Sequence, residues 1–211
     1  MDALIDKMKI PPSLLGKLNE TNINKSTNSE LRNSLKKDGY LFLRNIINPN
    51  EIEAARNDVF RRLNEVNELK EPYKDGISSG KSNRDKMCDN RGDFWESVSS
   101  IKSLRQVTNG KILENVFSKI FGSPSIGFDF IFLRAVAGGK FTHMHCDAGF
   151  FTRVTKQILT CWLAFTEVTF DKGPLFVIKG SHKFKDVQDK YIDFDVDIHK
   201  DKKATIETHP I

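Results

Sequence analysis

Residues 141–151 read Phe-Thr-His-Met-His-Cys-Asp-Ala-Gly-Phe-Phe, and two histidines and one aspartate fall within five positions, His143, His145 and Asp147. Along an extended chain successive side chains alternate between faces. His143, His145 and Asp147 then share one face, and Met144 and Cys146 share the other. A His-x-Asp pair two residues apart presents an imidazole nitrogen and a carboxylate to one point. That is two-thirds of the two-His-one-carboxylate donor set used by non-haem Fe(II) oxygenases, a set that leaves coordination positions open for an oxo-acid co-substrate and dioxygen. Residue types alone also allow a plainer reading, the polar end of a strand.

These donors need a scaffold, and the composition supplies one. The chain has 211 residues, 38% hydrophobic and 29% charged, enough for one domain with its own core. Sixteen phenylalanines against three tyrosines and two tryptophans point to a Phe-rich interior. The net charge of +5 is spread along the chain, clustering only at Lys36-Lys37 and Lys200-Asp201-Lys202-Lys203. No basic stripe interleaved with aromatics exists, so nucleic acid is not an expected partner. Cys88, Cys146 and Cys161 are odd in number and form no Cys-x-x-Cys, which argues for a reducing, cytoplasmic setting. No apolar run reaches the length of a membrane span, and the first residues lack a signal-peptide pattern.

The elements that would position the donors follow in order. Residues 1–25 are a leader of uncertain structure, interrupted by Pro11-Pro12, with one helical turn expected at Ser13-Leu14-Leu15-Gly16. Thr27-Asn28-Ser29-Glu30 is a capping-box pattern; Leu31 and Leu35 follow at helical spacing and Gly39 supplies a stop. Residues 40–47 read as an apolar strand. Asn48-Pro49-Asn50-Glu51 opens a second helix, with Asn48 as cap and Glu51 reaching back, and Ile52, Ala55, Val59, Leu63 and Val66 form its buried stripe. Residues 70–93 read as a mobile, lid-like loop. Its Gly76-Ile77-Ser78-Ser79-Gly80-Lys81-Ser82 fails the spacing of a phosphate loop. Residues 94–121 are mainly helical, with a stripe of Ile112, Leu113, Val116, Phe117 and Ile120 ended by Gly122. From residue 125 strands are expected at 126–136, 141–147, 158–168 and 175–178. Helices first and strands after give an α+β domain, helices buttressing an antiparallel sheet or barrel.

With those strands placed, the chain resembles the phytanoyl-CoA dioxygenase family. The phrases that carry the resemblance are Asp38-Gly39-Tyr40-Leu41-Phe42-Leu43 with the Asn48-Pro49 helix, His145-Cys146-Asp147, Thr160-Cys161-Trp162-Leu163-Ala164-Phe165, and Gly173-Pro174-Leu175-Phe176-Val177-Ile178-Lys179-Gly180-Ser181-His182-Lys183. The last is the most specific, and the resemblance spans residues 31–183. It implies a double-stranded β-helix, a jelly-roll barrel, over residues 125–211, with a helical part over 26–124. It also implies Fe(II), 2-oxoglutarate and dioxygen as cofactor and co-substrates, and a small or lipid-like substrate to be hydroxylated. His145 and Asp147 would be metal ligands. Trp162 would be a 2-oxoglutarate contact or, equally, a core aromatic.

The family's third ligand is a downstream histidine, followed by an arginine that pairs with 2-oxoglutarate, and neither phrase is present before Ile211. The sequence is therefore expected to be a truncated member lacking the last barrel strands. His199 sits in an acidic stretch, and His209 is the one remaining late candidate. His143-Met144-His145 also matches the His-x-His of cupins. Cupins want a glutamate soon after, and Ala148-Gly149-Phe150-Phe151-Thr152 has none, so His145 with Asp147 is the preferred pair. His182 reads as a surface or hydrogen-bonding residue. Arg134, Lys140 and Arg153 are candidates for an anionic ligand, with solvated surface as the alternative. A non-enzymatic reading, an oxygenase-like scaffold without turnover, stands beside the catalytic one.

Overall fold

The computed structural model describes residues 3–5, 8–88, 91–133, 142, 144–147, 155 and 157–191. At the start, β1 (Ala3–Ile5) pairs antiparallel with β2 (Met8–Ile10), Leu4 opposite Lys9. A 3₁₀ turn at Pro12–Leu14 answers to the helical turn expected there.

The first helix, α1 (Asn28–Asp38), starts and stops as its sequence requires. Glu30 N donates to Thr27 Oγ1 at 3.3 Å and Thr27 N donates to Glu30 Oε2 at 2.7 Å, satisfying two otherwise orphaned donors. Gly39 ends it in the left-handed region, φ 80°, which costs glycine little. The strand expected over 40–47 reduces to one parallel bridge, Glu20 with Phe42. Asn45, at φ 55°, breaks the pleat. Leu41, Leu43 and Ile46 nevertheless bury against α1 and a later helix.

In α2 (Pro49–Glu65), Asn48 Oδ1 accepts from Asn50 N at 3.0 Å, and Ala55, Val59 and Leu63 are buried. Glu51 does not reach back to the cap. Its Oε1 accepts from Gln106 Nε2 at 3.2 Å on another helix, an opposite pull that the local pattern does not register.

The lid-like loop expected at 70–93 is instead pinned. It contains a 3₁₀ turn, Tyr73–Asp75, and the short α3 (Arg84–Met87), and α4 (Arg91–Ser99) already begins inside it. Leu69 bridges Ser78, Asn83 N donates to Val66 O at 2.8 Å, and Ser82 Oγ donates to Glu68 Oε1 at 2.7 Å. Arg84 pairs with Glu68 and lies 4.9 Å from the Phe94 ring centroid and 4.2 Å from that of Trp95. An arginine held between a carboxylate and two rings anchors a loop that composition alone marks as free.

Beyond it run α4, α5 (Lys102–Thr108) and α6 (Lys111–Phe121). On α6 Leu113, Val116 and Ile120 are buried, whereas Ile112, expected in the stripe, faces out. Its apolar arc is wider than the surface available to cover it.

Among the described residues two clusters result. One gathers Ala55, Val59, Leu63 and Val66 of the α2 region with Phe94, Val98, Leu104 and Val107. The other joins Ile23, Leu31, Val116 and Ile120.

After α6 the described residues contain no named strand, where strands were expected at 126–136, 141–147, 158–168 and 175–178. Residues 134–141, 143, 148–154, 156 and 192–211 of the expected barrel lie outside the described residues. Burial alternates in two of the expected strands. Ile131 and Leu133 pack on the first helical cluster, while Phe128, Phe130 and Phe132 are 45, 63 and 59% exposed. Leu163 and Phe165 likewise pack on the helices, and Trp162, one residue out of phase with them, is exposed. The last element among the described residues is α7 (Lys185–Tyr191).

Candidate metal centre

The two expected donors, His145 and Asp147, lie side by side. His145 Nε2 lies 3.3 Å from Asp147 Oδ1, with side chains 38 and 39% exposed. Residue 144 is at a bend and residue 147 in a turn, so this is the curved end of a segment rather than a regular strand. The two-residue spacing still converges the donors, and Met144 and Cys146 are half-buried. Burial first, and the Asp147 carboxylate second, push the Cys146 thiol above its ordinary range.

An exposed ion pair of this kind contributes ~0–1 kcal/mol to stability. Stability therefore gives little reason for the two groups to converge. Metal geometry gives a better one. First-row metals bind imidazole nitrogen and carboxylate oxygen at about 2.0–2.2 Å, which sets two neighbouring donors about 3 Å apart. The observed 3.3 Å fits that bite, and the donor chemistry fits iron.

The other candidates divide. Among the described residues no group of three His, Cys, Asp or Glu side chains could together hold an ion. His143, His199, His209, Arg134, Lys140 and Arg153 lie outside the described residues. Trp162 is 53% exposed and belongs to neither helical cluster. His182 is engaged elsewhere, its Nε2 3.1 Å from the carbonyl of Lys36 at the end of α1. The hydroxyls of the Gly76–Ser82 stretch serve their own loop: Ser78 Oγ accepts from Gly80 N at 3.2 Å and Ser79 Oγ from Lys81 N at 3.0 Å. They do not cradle a phosphate.

A model of the family described as phytanoyl-CoA dioxygenase matches residues 35–211. The chain belongs to the phytanoyl-CoA dioxygenase family. The match starts within α1 and takes in the His145–Asp147 pair, Trp162 and the Gly180-Ser181-His182 phrase. No curated protein and no solved structure matches the chain. The family places it among the oxygenases that generally depend on Fe(II) and 2-oxoglutarate. Among the described residues no helix is long and apolar enough to cross a membrane.

Proposed function

We propose that the protein is a non-haem Fe(II)- and 2-oxoglutarate-dependent dioxygenase that hydroxylates a small or lipid-like substrate in the cytoplasm. The observation that carries this reading is the 3.3 Å convergence of His145 Nε2 and Asp147 Oδ1 within a segment the family match covers.

In this reading His145 and Asp147 hold the iron. When bound, the iron with 2-oxoglutarate supplies the oxidising power for hydroxylation. The chain's own residues do the rest. His145 offers the Nε2 lone pair and Asp147 a carboxylate oxygen, so protons compete with metal at both. The half-exposed setting of the pair leaves room for co-substrate and substrate to complete its cover and exclude water. Trp162 contributes an apolar wall beside the 2-oxoglutarate.

The barrel belongs to the same proposal. Residues 26–211 form one domain after a leader at 1–25, with helices over 26–124 and a jelly roll over 125–211. Alternating burial supports it: Ile131, Leu133, Leu163 and Phe165 rest on the helices, and their neighbours in sequence face the other way. A sheet laid on a helical layer produces that two-residue period.

The test is an anaerobic titration of the 211-residue chain with Fe(II) and 2-oxoglutarate, followed by the visible metal-to-ligand charge-transfer band. The expected result is a band that His145→Ala and Asp147→Ala each abolish. A band indifferent to both substitutions overturns the assignment, and no band from a folded sample favours the reading of an oxygenase-like scaffold without turnover.

A further inference from the structure

Two of the most distinctive phrases in the sequence, Asp38-Gly39-Tyr40 and Gly180-Ser181-His182, meet in space. A helix leaves its last carbonyls without intrahelical donors, and α1 is no exception. Gly39 N donates to Leu35 O at 2.8 Å and satisfies one. The next two are satisfied from 146 residues away. His182 Nε2 donates to Lys36 O at 3.1 Å, and Lys183 Nζ donates to Lys37 O at 3.1 Å. Because a carbonyl only accepts, the proton of His182 must sit on Nε2. The other ring nitrogen faces α1 too: a Cβ at position 39 would lie 2.3 Å from His182 Nδ1 and 2.5 Å from its Cγ. Gly39 is thus needed twice, for its left-handed backbone at φ 80° and for the space its missing side chain leaves to the imidazole. Gln188 of α7 donates to the carbonyl of His182 and so holds the turn from behind.

We infer that the 3₁₀ turn Ser181–Lys183 is a strap that caps α1 in trans and fastens the stretch running into α7 onto the helical layer, with Gly39 as its socket. The donors are those that suit a helix C-terminus: a histidine N–H and a lysine ammonium, both favoured there by the helix dipole. The strap engages Nε2 of His182 with the Lys36 carbonyl and seats the ring against Gly39, so this histidine serves α1. It stands independently of the iron assignment, since none of its contacts involves His145 or Asp147.

The test compares the 211-residue chain with His182→Ala by amide hydrogen exchange and thermal unfolding. Loss of a cap of ordinary strength accelerates exchange roughly 5- to 10-fold in the last turn of α1 and in α7 together. It lowers the unfolding midpoint by about 2–4 °C. Acceleration confined to α7, with α1 unchanged, overturns the inference. Gly39→Ala supplies the second arm. Beside His182 it meets both the backbone strain and the ring; in the His182→Ala background only the strain remains. The midpoint loss from Gly39→Ala is therefore smaller in that background. Strict additivity, as between distant sites, overturns the strap. The exchange comparison uses His182→Ala alone and decides the matter even if Gly39→Ala does not fold.

Discussion

The helical region and the region that carries the metal pair are built on different terms. α1, α2, α4, α5 and α6 each carry buried apolar residues, and Phe94, Leu31, Leu104, Val66, Val98 and Val107 are fully enclosed. In the region after α6, His145 and Asp147 are half-open, and large apolar groups such as Phe130 and Trp162 are more than half exposed. Stability resides in the first region, and the proposed chemistry is assigned to the second. A donor pair that must admit co-substrate and substrate cannot also be a closed core.

That contrast can be broken or sharpened by substitution. Phe94→Ala should have the largest effect. It empties the centre of the first cluster and removes the ring beneath Arg62 and Arg84, whose guanidinium carbons lie 5.3 and 4.9 Å from its centroid. Urea unfolding should register a loss of about 3–5 kcal/mol. A loss under ~1 kcal/mol would mean that this cluster is not the core.

Arg84→Met comes next. It leaves Glu68 with Ser82 as its remaining partner and unties the loop between α2 and α4. The expected cost is about 1–3 kcal/mol, together with new proteolytic cleavage within residues 70–82. Protease resistance equal to the wild type would show that the backbone bonds of the loop suffice without the arginine.

His145→Ala should move stability by no more than about 0.5 kcal/mol, since its 3.3 Å partner lies in a half-exposed setting. The same variant should lose Fe(II) affinity by at least ~100-fold. Differential scanning beside an iron titration separates the two quantities. Destabilisation of core size at position 145 would erase the contrast between the regions.

The smallest effect is a pH dependence within the helical layer. Ser103 Oγ donates to Asp58 Oδ2 at 2.6 Å, and this bond, with Arg61 assisting, holds the Asp58 carboxyl below its ordinary value of 3.8. A carboxyl depressed in the folded state contributes stability that is present above the unfolded pKa and lost as pH falls through the folded one. Ser103→Ala should therefore flatten the decline in unfolding midpoint below about pH 4, leaving neutral pH nearly unchanged. Parallel acid profiles for the two proteins would assign the acid sensitivity to other carboxyls.

Much of this was legible in the residues. The Thr27–Glu30 box, the Asn48-Pro49 start, the Gly39 and Gly122 stops and the stripe of α2 all act over one or two turns, and all stand in the structure. So does the convergence of His145 and Asp147, which needs only two-residue spacing. Where the reading failed, a distant group had intervened. Glu51 turned to Gln106 rather than its own cap, and Ile112 found no surface to cover it. The polar stretch after α2 looked free because nothing local announces that Arg84 will meet Glu68 and two rings of α4.

The sequence by itself determined α1, α2 and α6, their ends, the family and the spacing that brings His145 beside Asp147, because each depends on residue types at short, fixed separations. Only the tertiary structure decided that the loop is pinned, that the imidazole of His182 belongs to α1, and that Gly39 must be bare beneath it. Those contacts join positions up to 146 residues apart, and a local pattern carries no record of which distant carbonyl, ring or carboxylate will close the chain upon itself.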